Sequence, residues 1–172
     1  MAAWREFETE APEFAARVRS RFDAHKHKTI ATLRKDGSPR ISGIECEIEG
    51  GELQFGAMWR SVKALELLRD PRLRSTAVPT IPAWDGDAKI AGTVRAETRE
   101  SADHGRHHLF RADIHEAVLI GLNDARDKLV IESWHEGRGL SRIERQWTGP
   151  ASLRVRRTWC FLRSQEGNPS LS

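Results

Sequence analysis

The sequence predicts a mainly β domain, a small antiparallel β-barrel of six or seven short strands with two or three flanking helices. Three observations predict it. Apolar residues alternate at period two through residues 40–48, 53–55 and 88–97, as in strands with one buried and one wet face. Turn pairs, Asp36-Gly37 and Gly50-Gly51, separate the first of these runs in the way hairpins require. Helical periodicity is confined to two short stretches, after Pro12 and after Ser61. The 172 residues suit a single domain over 1–172, with 165–172 expected to fray.

Pro12 stands in the first turn of an amphipathic helix, with Phe14, Val18 and Phe22 on one stripe and Glu13, Arg17, Arg19 and Arg21 off it. Residues 29–33 are β-prone, and the turn from Lys35 to Pro39 lets Gly37 take a positive φ. In the next strand Ile44, Cys46 and Ile48 alternate with Glu45, Glu47 and Glu49. Gly50-Gly51 then turns the chain into residues 53–55. Ser61 is a good N-cap for a helix that Asp70-Pro71 stops. Residues 73–78 suit only a weak, non-central strand, because Arg72, Arg74, Pro79 and Pro82 surround them.

The turn from Trp84 to Asp87 precedes residues 88–97, where Ile90, Gly92, Val94 and Ala96 share one face and Gly92 marks a close backbone approach. Residues 101–110 are polar and read as helix or loop. Residues 114–122 and 129–134 are the last strands, separated by an Asn-Asp-Ala-Arg-Asp turn.

Composition narrows the class. Twenty-eight basic against 25 acidic residues give a net charge of +3, too small by itself to steer nucleic acid. Between Gly137 and Arg163, seven arginines (Arg138, Arg142, Arg145, Arg154, Arg156, Arg157 and Arg163) stand against the single acid Glu144, which fits a solvated edge or a tail binding phosphates or nucleic acid. Cys46 and Cys160 form no CxxC pair, so neither a disulfide framework nor a thiolate metal site follows. The acidic first ten residues lack the apolar core of a signal peptide, and no run has the roughly 18 apolar residues of a membrane helix. A cytoplasmic protein is the expectation.

The stretch from Gly56 to Arg72 carries the chemistry. A strand hands over to a helix opened by Ser61, with Lys63 in its first turn and Arg60 just before it. Unpaired N–H groups at such an N-terminus attract anions, which makes a plausible phosphate seat; an ordinary cap with a solvated lysine is the alternative.

Taken in order, the segments Ala31–Arg40, Gly51–Phe55, Ser61-Val62-Lys63-Ala64-Leu65 and Arg69-Asp70-Pro71-Arg72 resemble the pyridoxamine 5′-phosphate oxidase-like family of FMN-binding split β-barrels. The segment from Ile131 to Arg142 resembles the family's IExWxxxxGRxxxR pattern, two residues shorter between the tryptophan and the GR pair. The resemblance spans roughly residues 14–145. It implies FMN at a homodimer interface, with Ser61 and Lys63 on the phosphate, Arg40, Ile41, Ser42 and Gly43 along the ring and ribityl chain, and Ala57 and Met58 facing the same pocket. Trp134 and Arg142 match positions that approach the flavin from the partner subunit, and Arg138 would face an anionic substrate.

Two departures bear on the occupant. Leu140 stands where true pyridoxamine phosphate oxidases have a histidine, which argues against that reaction. Val62 replaces a phosphate-binding arginine, which leaves the deazaflavin F420 as an alternative to FMN. The reading that results is an oxidoreductase acting by hydride transfer on a small molecule, with no catalytic side chain assigned. A flavin, deazaflavin or haem carrier or sensor of the same fold is the second reading, and a nucleic-acid module using the late arginines the third.

Other groups read more blandly. His104, His107 and His108 lack acidic or thiol partners at metal-ligand spacing and suit a wet surface, as do His25 and His27. His135, beside Trp134, is the histidine to consider as a proton donor. The pairs Glu45/Glu47 and Asp85/Asp87 suit a wet strand face and a turn. Trp4, Trp59, Trp84, Trp147 and Trp159 suit the core or a dimer interface, with Trp59 alternatively bordering the cofactor pocket.

Overall fold

The computed structural model describes residues 3–77, 86–103 and 105–146, which form eight strands and three helices. In chain order these are α1 (Trp4–Glu10), α2 (Pro12–Asp23), β1 (His27–Leu33), β2 (Pro39–Glu49), β3 (Glu52–Met58), α3 (Val62–Arg69), β4 (Arg72–Ala77), β5 (Asp87–Ser101), β6 (Gly105–Leu122), β7 (Lys128–His135) and β8 (Gly139–Gln146). The sheet runs β3-β2-β1-β4-β5-β6-β7-β8 and closes on itself where β3 also pairs with β6. The result is a six-stranded antiparallel barrel with β7 and β8 continuing beyond it, in agreement with the mainly β expectation.

The 18-residue β6 makes this possible. Its first half pairs with β3, from Leu53 opposite Ala112 to Met58 opposite His107, and its second half pairs with β7. Inward residues of the barrel strands build the core, including Ile30, Leu53, Leu73, Ile90 and Ile114, with Phe55 stacked on its register partner Phe110 at 5.3 Å.

Helices cover opposite ends of the β1–β3 hairpins. On one side, Arg5 and Arg19 donate to the carbonyls of Gly50 and Ile48, at 2.8 and 2.9 Å. On the other, the Arg69 guanidinium of α3 donates to the carbonyl of Leu33. The buried stripe of α2 is the one expected, Phe14, Val18 and Phe22 with Ala15.

Four expectations change. Residues 101–103 and 105–110 belong to a hairpin tip and the start of β6, not helix or loop: their polar side chains belong to a strand with a wet outer face, while His108 and Phe110 point inward. Residues 72–77 form a central strand between β1 and β5. They tolerate the position because Arg72 and Arg74 point outward while Leu73, Ser75 and Ala77 are buried; Pro79 and Pro82 lie outside the described residues. Helix α1 and strand β8 have no counterpart in the sequence reading. The fraying tail, Cys160, His104, Trp84, Trp147 and Trp159 also lie outside the described residues.

Gly92 does mark a close approach. A Cβ there would stand 2.0 Å from the carbonyl oxygen of Asp113, at a β-bulge where Ala91 opposes Glu116 and Gly92 opposes Ile114, leaving His115 as the extra residue.

Candidate functional site

Strand β3 ends at Met58, and the chain turns through Trp59 and Arg60 into α3. Arg60 adopts a left-handed φ of 53°, and the Ser61 amide donates to the Met58 carbonyl at 3.1 Å, closing the turn. Ser61 occupies the N-cap, yet its hydroxyl caps nothing: its Oγ is buried without a partner among the described residues. The same is true of Ser42 Oγ and Arg40 Nη2, both on β2 and two residues apart, so on one face of the strand.

Arg40 is held by α3. Its Nε donates to both Glu66 oxygens, at 3.0 and 2.8 Å, and Thr32 of β1 donates to Glu66 at 2.5 Å. Burial works to raise the pKa of Glu66, but the Thr32 hydroxyl and the Arg40 guanidinium outweigh it and leave the carboxyl below its ordinary value. Lys63 Nζ donates to the Gly43 carbonyl at 2.8 Å. Desolvation, and then repulsion from Arg40, push the Lys63 pKa down, so its charge lacks full compensation.

Beside Lys63 opens a cleft of about 900 Å³ on the outer face of β2, β3 and β6. Gly43, Ala57, Met58 and Lys63 all line it, so four of the expected site residues meet in one cavity. Gly43 and Gly56 face it, and a Cβ at either would have no atom within 4 Å, so a side chain there would occupy the cleft. Ile41, on the same face of β2 as Gly43, is 72% exposed, and Met58 is 80% exposed. Cys46 also lines the cleft; burial pushes its thiol up to about 11, which keeps it protonated at neutral pH.

The remaining expected residues lie elsewhere. Trp134 is fully buried, 4.7 Å from the Phe7 ring, with its indole N–H donating to Glu10 at 3.1 Å. Arg142 donates to Glu144 at 2.8 Å and lines a separate polar hollow with Arg17 and Glu132. Arg138 lies on the β7–β8 turn, in a third cavity. Glu45 pairs with Lys26 at 3.1 Å on the wet face, and Glu47 accepts from Gln54, also at 3.1 Å.

Sequence reasoning missed Glu66, although an acid beside the buried positions Ala64 and Leu67 was a signal for it. It also read His108 as wet. The ring is buried, stacked 4.5 Å from Trp59, and Arg106 lies over the Trp59 ring at 3.8 Å. Desolvation, then Arg106 and His107, lower the His108 pKa.

A closed antiparallel barrel of six strands, with a helix start beside an outer-face cleft, defines a class rather than an activity. No family model and no curated protein matches the chain. Solved structures match its fold. One is a pyridoxamine 5′-phosphate oxidase-related, FMN-binding protein from Nostoc punctiforme, with a TM-score of 0.57 and 12% identity over 86% of this chain and 99% of that one. Another is PhzG from Burkholderia lata in complex with tetrahydrophenazine-1-carboxylic acid, with a TM-score of 0.55 and 15% identity over 80% and 88%. The chain has the split-barrel fold of the pyridoxamine 5′-phosphate oxidase-like, FMN-binding proteins.

Proposed function

We propose that this protein is an FMN-binding oxidoreductase that works as a homodimer on a small-molecule substrate. The observation that carries the reading is the set of buried polar atoms without partners, Arg40 Nη2, Ser42 Oγ and Ser61 Oγ, in the same neighbourhood as the under-compensated Lys63. Buried groups of this kind call for a partner, and a phosphate at the start of α3 satisfies donors that the protein leaves open.

Each residue then has a role. Lys63, Ser61 and Arg40 hold the phosphate, with Glu66 fixing the Arg40 guanidinium so that only its free edge is offered. Gly43 and Gly56 keep the cleft floor clear for the ribityl chain and ring, and Ile41, Ala57 and Met58 give apolar contact. When bound, FMN supplies hydride-transfer chemistry. Cys46, protonated at neutral pH, is not a thiolate nucleophile in this site. Trp134, being in the core, is left out of the cofactor contacts, and Arg142 could reach the cofactor only from a second protomer.

Exposed apolar side chains support the dimer. Ile41, Met58, Val62, Leu65 and Leu68 lie on β2, at the end of β3 and along α3, around the proposed phosphate seat. Burying them against a second copy would close the cleft from solvent.

One observation keeps F420 as the second reading. Val62 is 62% exposed and apolar, so the seat has one cation fewer than the motif it resembles.

The visible absorption spectrum of purified protein tests the proposal. FMN gives the bands of an oxidised flavin, while F420 and haem have distinct spectra of their own. Lys63→Ala is expected to weaken FMN retention about tenfold or more, as loss of a charge-assisted contact does. A protein that stays colourless after reconstitution with FMN and F420, with Lys63→Ala indistinguishable from the parent, overturns it. Anaerobic reduction followed by substrate screening then separates enzyme from carrier, since a carrier's cofactor never turns over.

A further inference from the structure

The turn that leads into α3 is built on an unfavourable residue. Met58 to Ser61 form a β-turn, closed by the Ser61 amide on the Met58 carbonyl, and Arg60 stands at its third position with a φ of 53°. That position favours glycine, which has no Cβ to strain, so an arginine there needs a hold from outside the turn. Trp59 supplies one. Its indole is stacked on the His108 ring at 4.5 Å and 19°, and the Arg106 guanidinium lies over it at 3.8 Å. Arg106 and His108 are two apart on β6 and project from one face, so both grip the same ring. The β3–β6 ladder ends with Met58 opposite His107, and this clamp carries the tie to β6 one residue further, into the turn.

The clamp has a weak member. His108 is buried, and neither of its ring nitrogens has a hydrogen-bond partner among the described residues. Ala57 of β3 and Thr98 of β5 oppose it in register, neither of them charged, and the Phe110 ring lies 6.0 Å away. The charged and titratable groups around it are Arg106 and His107 on its own strand, Arg60 in the turn, and on β5 Arg99 and Glu100, opposite His107 and Arg106. Burial, then Arg106 and His107, hold the imidazole pKa below its ordinary 6.5. A proton on His108 is therefore a buried charge beside an arginine, and water relieves it. Trp59, 37% exposed, is the cover that can swing aside to admit that water.

We infer that Trp59, Arg106 and His108 are positioning residues for the start of α3, and that their clamp opens when His108 takes up a proton, loosening the turn that carries Ser61 and Lys63. In the closed clamp the imidazole resists protonation; in the open one, in water, it regains its ordinary pKa. The closed form is thus fully favoured above about pH 6.5, and each pH unit below that moves the balance toward the open form by up to about tenfold, until the closed-form pKa is passed. As a property of the turn this stands apart from any cofactor. As control of cofactor binding it rests on the flavin proposal, in which Ser61 and Lys63 hold the phosphate.

The Ser61 amide is the probe, because its bond to the Met58 carbonyl exists only while the turn is closed. Its hydrogen-exchange protection, measured by NMR on cofactor-free protein, is expected to fall several-fold, up to about tenfold, between pH 7.5 and pH 5.5. In His108→Phe, which keeps a flat ring and takes up no proton, protection should stay level; His108→Leu serves if that variant does not fold. Trp59→Ala should lose protection at every pH, and adding Arg60→Gly should restore it, since glycine adopts the left-handed φ without strain. FMN affinity should fall more steeply with acid in the parent than in His108→Phe, both sharing the loss from protonation of the phosphate itself, whose pKa is about 6. Level protection in the parent, an equal fall in His108→Phe, or unchanged protection in Trp59→Ala overturns the inference. Equal acid loss of FMN affinity in the two proteins overturns its cofactor part. A protein that never binds FMN yet shows the acid-dependent protection sinks the flavin reading and leaves the clamp standing.

Discussion

The Glu66 carboxylate joins three elements, accepting from Thr32 on β1 and Arg40 on β2 while belonging to α3. Breaking such a buried pair from one side leaves a guanidinium short of its partner, so Glu66→Gln should cost about 3 kcal/mol at neutral pH, measured by urea unfolding. Acid acts through the same carboxyl. Its folded pKa lies below its ordinary value of 4.5, so its contribution is complete above about pH 4.5 and is lost as pH falls through the lowered folded value. The melting temperature of the parent should therefore fall more steeply below pH 4.5 than that of Glu66→Gln. Identical acid limbs would remove Glu66 from the account. Residues on a local motif were legible at this scale: Ser61 and Lys63 sit where the strand-to-helix handover put them. Glu66 was not, because its meaning depends on two strands that approach it only after folding. Arg40 was expected on the cofactor phosphate or ring, and in the structure its Nε is committed to Glu66.

Elements were legible where one face is plainly apolar. The period of β2 and β3 and the stripe of α2 could be read directly, because alternation or a helical stripe leaves little choice of which side is buried. The start of β6 could not: its outward residues are arginine and histidine, its inward ones include His108, and the barrel closure that buries them links residues about fifty positions apart. Trp134 shows the same limit in a motif. Its neighbours matched a pattern, but α1, which carries no strong signal of its own, places Phe7 and Glu10 against the indole and turns it into core. The bulge between β5 and β6 offers a sharp test. Gly92→Ala would put a methyl 2.0 Å from a backbone oxygen of a central strand pair, with no flexible side chain to give way. A loss of about 3 kcal/mol is expected, read from the denaturation midpoint. A midpoint like that of the parent would mean the bulge is less tight than it stands here.

For the whole molecule, the mainly β barrel with flanking helices was legible because hairpin turns and strand periods are local properties, and the order of short strands admits few closures. What lay beyond reach was how many strands stay outside the ring, since β8 is exposed along its length and so lacks a buried face to mark it. Assembly belongs to this scale too. Leu65→Glu, on the exposed side of α3, puts a charge into the proposed interface and should shift sedimentation from dimer to monomer without changing the far-ultraviolet circular dichroism. A parent protein that sediments as a monomer at all concentrations would count against the dimer. No helix among the described residues is long and apolar enough to cross a membrane.

The seam between β3 and β6 has a kinetic consequence. Most strand pairings join neighbours in the chain and can zip early, whereas two, Ala31 with Arg74 and Leu53 with Ala112, each join strands that have three elements between them. The barrel is therefore two separate sets of hairpins until these two seams form. Because the outer-face cleft straddles the β3–β6 seam, with Gly56 on one side and His107 on the other, the pocket exists only once that seam is made. A bound molecule spanning it would act as a clasp, slowing the opening of the barrel without touching the hairpins that built it.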